Sequence, residues 1–106
     1  MSTSYIYLIE SIGDYETVYK IGFSKHTEKR LEQLKTGNPN KITIIENFCT
    51  KHGRKVETAF HNLYSHKRLE GEWFTLDLVD IVDFIKNCEK IEENFNILIK
   101  HDNHYL

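Results

Sequence analysis

The sequence predicts an α+β domain, with a three-stranded antiparallel sheet flanked by helices and closed by a long C-terminal helix, and three observations carry that reading. Two runs of β-branched and aromatic residues, 5–9 and 17–24, are separated by the turn chemistry of Gly13 and Asp14. Apolar residues then move to three- and four-residue spacing in two stretches, 27–35 and 54–66, with a third strand-like run, 42–48, between them. From Ile81 a helical stripe continues almost to the C-terminus.

The first two runs pair most simply as an antiparallel hairpin, in which Lys20 interrupts an otherwise apolar strand. Thr27 is placed to cap the first helix, with Glu28 in its first turn, Leu31 and Leu34 on its apolar side and Gly37-Asn38-Pro39 ending it. The second helix carries Val56, Ala59, Phe60, Leu63 and Tyr64 on one side and Glu57 and His61, one turn apart, on the other. Gly71 breaks the chain before a short extended piece at 72–75, where Trp73 and Phe74 are expected in the core. Asp77 can cap a third helix that runs unbroken through Phe84, Cys88, Ile91, Phe95, Leu98 and Ile99. Its distal half either meets a partner subunit or folds back across its own sheet.

A chain of 106 residues that is 40% hydrophobic and 28% charged suits one domain, 1–106, with a single core. The opening MSTSYIYLIE has no basic stretch ahead of an apolar run, and nowhere are there the ~18 consecutive apolar residues of a membrane span. The expected location is intracellular, cytoplasmic or nuclear. Cys49 and Cys88 are too few for a disulfide framework and are read as reduced, packed thiols.

Charge is divided unevenly along the chain. Eleven of the fourteen Lys and Arg residues lie in 20–68, giving that block +7, while the flanking segments are acidic and the whole chain is −2. Such polarity suits a local anionic partner, although basic residues that merely decorate two solvated helix faces would give the same count. Within the block lie Lys20-Ile21-Gly22, then Arg30, then Glu57 and His61.

In that order these pieces resemble the GIY-YIG nuclease superfamily, and in particular its short phage-type branch with KIG in place of YIG. The resemblance covers about 5–76, with 77–100 as an added C-terminal helix. Tyr5-Ile6-Tyr7 stands for the first signature, Lys20-Ile21-Gly22 for the second, and Arg30 and Glu57 for the helix arginine and helix acid. Thr36-Gly37-Asn38-Pro39 and the segment 68–74 also look like that branch. It differs in having Tyr5 where the first signature has glycine, and Leu34 where many relatives have a helix histidine.

The resemblance implies a divalent-metal-dependent DNA endonuclease or nickase. Glu57 would be the metal ligand for Mg²⁺ or Mn²⁺, since Mg²⁺ commonly takes only one or two protein carboxylates. Arg30 would bind the scissile phosphate with its planar fork. Tyr7 would activate the attacking water, with Lys20 as a cation beside it that favours the phenolate and Tyr19 as a lesser candidate for the same task. His61, about 6 Å along the helix from Glu57, would join the site. Lys25, Lys29, Lys35, His66, Lys67 and Arg68 would supply a surface for the nucleic-acid backbone.

Two other function classes stand beside this one: a catalytically degraded nucleic-acid-binding module, and a protein-interaction module, a homodimer or a complex, that uses the acidic C-terminal helix. A zinc site from Cys49, His52, His61 and His66 is a minor rival, because C-x-x-H lacks a second cysteine and the eight residues to His61 are few.

Overall fold

The computed structural model of the chain describes residues 3–102. Its elements are β1 (Ser4–Ile12), β2 (Thr17–Ser24), α1 (Thr27–Lys35), β3 (Lys41–Thr50), α2 (Gly53–Leu63), a 3₁₀ turn (Ser65–Lys67), β4 (Trp73–Phe74), α3 (Leu78–Val82) and α4 (Phe84–Asp102). The α+β class, the antiparallel sheet and the long C-terminal helix are as expected. The sheet has four strands in the order β3-β1-β2-β4, the fourth being only two residues long.

Alternation in β1 sorts the sheet into two faces. Ile6, Leu8 and Ile21 are fully buried on one, against Val56, Phe60, Phe74, Phe84 and Cys88 from α2, β4 and α4. Phe60 and Phe84 stack with centroids 4.9 Å apart at the centre of this core. On the other face Tyr7, Ile9 and Ile42 meet Leu31 of α1 in a smaller cluster. A register shift between Leu8 and Ile9 lets β1 pair with β3 across a bulge.

Several local expectations are corrected. Thr27 is the first residue of α1 and not its cap; its hydroxyl instead bonds Asn47 Oδ1 at 3.0 Å, which fastens α1 to β3. The last helix is interrupted: Asp77 and Asp80 form a reciprocal capping box on α3, the chain bends at Asp83, and α4 begins anew. Leu63 is exposed, as are Leu98 and Ile99 at the far end of α4, so the apolar stripe serves this domain's core only through about Phe95. Cys88 is packed and its thiol pushed up to about 12 by burial, whereas Cys49 is exposed on β3. Gly71 takes φ 59°, a left-handed turn that returns the chain to pair β4 with β2.

Candidate active site and nucleic-acid interface

The site lies where β2 outruns its short neighbour. β4 pairs with β2 only at Tyr19↔Phe74 and Lys20↔Trp73. Beyond that point side chains of α2 take the place of a strand. Glu57 Oε2 accepts the Phe23 N–H at 3.1 Å, and His61 Nε2 lies 2.8 Å from the Ile21 carbonyl oxygen. A carbonyl only accepts, so His61 donates from Nε2 and keeps Nδ1 as its remaining functional atom. Glu57 and His61 therefore do not point away from the fold on the far side of the helix. They face the open edge of β2, half-buried, because unpaired strand groups need partners.

Tyr7 and Gly22 are cross-strand partners, and the phenol is packed directly over the glycine. A Cβ at position 22 would fall 2.6 Å from Tyr7 Cζ and 3.0 Å from Cε1, so the Lys20-Ile21-Gly22 sequence requires its glycine for a close approach. Burial pushes the Tyr7 phenol up, the neighbouring Arg30 guanidinium pulls it down, and the negative charges of Glu72 and Glu57 push it up again, with the net result above the ordinary tyrosine value. Arg30 itself is exposed at the mouth of the site, its Nη1 3.4 Å from Gln33 Oε1.

Lys20 shares the face of Tyr7, since Ile9 is its cross-strand partner, and is buried. Its ammonium is held 2.9 Å from Glu72 Oε1 and sits 5.4 Å from the centroid of the Trp73 ring. The cation beside Tyr7 is thus already paired, and among the groups acting on the phenol Arg30 takes the lowering role expected of Lys20. Glu72 is the group that sequence reasoning missed as a member of the site. Its only signal was its position immediately before the aromatic pair that forms β4, the strand that faces Lys20.

Glu57 is raised above the usual carboxylate range, first by burial and then by Glu72, while His61, the Phe23 N–H and Lys20 act the other way. With Oε2 committed to Phe23, Oε1 has no protein hydrogen bond among the described residues. No cluster of three or more His, Cys, Asp or Glu side chains able to hold a metal occurs among the described residues, the zinc set Cys49, His52, His61 and His66 included. His52 instead bonds Asn96 Oδ1 at 2.8 Å, tying α2 to α4.

Tyr19 is on the opposite face of the sheet from Tyr7, bonded to Glu10 Oε2 at 3.2 Å, so it cannot stand in for Tyr7. Lys25, Lys29 and Lys35 are all exposed, Lys35 lying 3.7 Å from Glu32 Oε1, and Lys29 and Arg30 line an open pocket with His26 and Gln33. The second basic group divides. Lys67 is spent on Asp80 at 2.6 Å and Asp77 at 3.2 Å, and these bonds, Asp80 first, hold its pKa up. Arg68 donates Nε to the Gly71 carbonyl and so supports the turn, while His66 is exposed.

Among the described residues no helix is long and apolar enough to cross a membrane. A family model described as T5orf172 domain matches residues 4–94. No curated protein and no solved structure matches the chain.

Proposed function

The chain belongs to the T5orf172 domain family, and from that premise and the site geometry we propose that it is a small divalent-metal-dependent endonuclease or nickase that hydrolyses DNA phosphodiester bonds in the manner of GIY-YIG nucleases. The family is phage-associated and often linked to nuclease-like folds. One observation carries the reading: a phenol packed on Gly22, with an exposed arginine acting on it and a half-buried glutamate at the adjoining edge of β2, where a plain core needs none of them.

Arg30 is the phosphate anchor, a permanently charged fork at the rim of the basic surface of Lys25 and Lys29. Tyr7, as the phenolate whose proton has passed to solvent, is the proton acceptor for the attacking water, and Arg30 is the nearby cation that favours the phenolate against the rise that burial causes. Water oxygen bonds to phosphorus as the P–O ester bond breaks, and the departing oxygen takes a proton from solvent while Tyr7 holds the one taken from water. Glu57 Oε1 is the protein donor for Mg²⁺ or Mn²⁺, and one free carboxylate oxygen fits an ion that keeps most of its waters. Such an ion supplies charge stabilisation at the phosphate and leaving oxygen. His61 holds α2 to β2 through Nε2 and keeps Nδ1 for a further partner.

Nicking and linearisation of supercoiled plasmid with Mg²⁺ or Mn²⁺ tests the proposal, wild type against Glu57→Ala and Arg30→Ala. Cutting that depends on metal and is lost in both variants supports it. Cutting unchanged in Glu57→Ala overturns it. The pairing of Lys20 with Glu72 favours one alternative, a module that binds DNA without cleaving it. Steeply salt-dependent binding with no cleavage of any substrate would establish that alternative.

A further inference from the structure

Trp73 is the chain's one tryptophan, and it does not do what its neighbour does. Phe74 is fully buried and closes the core, whereas Trp73 is only half-buried and lies on the face of Tyr7 and Lys20. The expectation that both are core is therefore wrong for Trp73. Its ring is steadied by the Lys20 ammonium and forms part of an open pocket of about 550 Å³ beside the hairpin. Val18 and Leu69 give that pocket further apolar wall, and Asn38 and Asn40 line its polar side.

The polar groups decide which chemistry fits. Asn40 donates its backbone N–H to Asn38 Oδ1 at 2.9 Å and its side-chain amide to Ser11 Oγ at 3.2 Å, leaving the Asn38 amide NH₂ and Asn40 Oδ1 for a ligand. Glu16 and Glu70 also line the pocket. Two carboxylates repel a phosphate but accept from the exocyclic amino groups of bases. A flat ring with donors and acceptors on its edge, in a strand whose phosphate is anchored at Arg30, suits the indole, the two amides and the two carboxylates.

We infer that this pocket takes one unpaired nucleobase of the DNA strand bound at the site, stacked on Trp73 and contacted at its edge by Asn38 and Asn40. The inference rests on the reading of that site as a DNA-phosphate site. A base stacked within a duplex has no free face for an indole, so the pocket selects a single-stranded, mismatched or extruded nucleotide.

Because Trp73 is the sole tryptophan, its fluorescence reports the pocket directly. The full chain is titrated, in chelator so that nothing is cut, with a short single-stranded oligodeoxynucleotide and with a strand of equal length made wholly of abasic residues. Anisotropy of end-labelled strands measures binding separately. The base-bearing strand should quench Trp73 and bind roughly 5- to 150-fold more tightly than the abasic one, the range that stacking of one base on an aromatic ring supports. Trp73→Phe should keep most of that preference and Trp73→Ala should lose it, with circular dichroism confirming the fold. Equal quenching and affinity for the abasic strand overturns the inference, as does binding of the base-bearing strand with no change in fluorescence. Either of those results leaves the nuclease proposal standing, whereas absence of all binding, to single strands and to duplex alike, removes both.

Discussion

The two faces of the sheet use the same strands and spend burial differently. On the face under α2 and α4, alternate residues are Ile6, Leu8 and Ile21, wholly enclosed by Phe60, Phe74 and Phe84. On the other face the alternate positions carry Tyr7, Lys20 and Gly22, also buried, and the helix against that face is the nine-residue α1, which meets it through Leu31. A small domain thus obtains rigidity mainly from one face and gives part of the other to polar and charged groups, Lys20 paired with Glu72 and Arg30 exposed beside Tyr7. The lesson is that the site is a thinly covered side of the core and not a cleft between domains.

If that division is right, damage to each face should have a different signature. Phe84→Ala removes a fully buried, stacked ring and should cost about 3–5 kcal/mol, a large part of the ~5–15 kcal/mol that holds a domain of this size. Arg30→Ala should leave the denaturation midpoint nearly unchanged, because its side chain is exposed, and lower the rate of plasmid nicking at least ~100-fold. Urea melts and nicking assays on the two variants separate these effects. An Arg30→Ala protein that melts like Phe84→Ala would break the comparison.

Gly22 belongs to the site face but is built like core. Gly22→Ala should destabilise by about 1–3 kcal/mol through collision with the Tyr7 ring, and should reduce nicking because the phenol must move. In a Tyr7→Ala background the same substitution should cost little. A double-mutant cycle on urea midpoints measures that coupling, and additive costs would show that the glycine is needed for something other than the phenol.

The sequence carried the strands and most of the helical stretches because hydrophobic period is a local signal, and the order of its motifs, through the resemblance, put Tyr7, Lys20, Arg30 and Glu57 forward as candidates. It did not carry the break at Asp83, since Ile81, Phe84 and Ile85 keep helical spacing straight across it. Nor did it show that Glu57 and His61 face β2, because helix periodicity marks Val56 and Phe60 as inward and puts their polar neighbours on the opposite side. Glu72 was illegible for a related reason. Its partner Lys20 is 52 residues away, and the contact exists only because a two-residue strand pairs there.

The phenol gives a finer measure of the site face. Tyr7 sits above the ordinary tyrosine value, so the absorbance titration of wild type minus Tyr7→Phe should show a phenol that ionises above the usual range. Glu72→Gln removes one of the charges that raise it and should move that titration toward lower pH, carrying with it the limb on which the nicking rate rises with pH. Tyr19 and Tyr64 are also raised, by burial first, but they belong to the core face, and Glu72 is not among the groups acting on them. Their titration should not follow the Glu72→Gln change, and a common shift of all three would mean a general loosening of the fold.

The smallest effect tests whether an acid at the open edge of β2 costs stability. Glu57 is raised in the folded protein, mainly by burial, so the fold binds its proton more tightly than the unfolded chain does. The stabilising contribution of that proton is fully present below the unfolded carboxylate pKa and is lost as pH rises through the folded value. At neutral pH an ionised Glu57 is therefore a burden, partly screened because the side chain is only half-buried. Glu57→Gln keeps an oxygen for the Phe23 N–H and drops the charge, and should raise the melting temperature by roughly a few degrees at pH ~7 while abolishing cutting. The gain should fade on acidification, as wild-type Glu57 becomes neutral too. A variant no more stable than wild type at neutral pH would mean that Glu72 and burial are offset in full by His61, Lys20 and the strand N–H, and that this edge keeps its acid without cost.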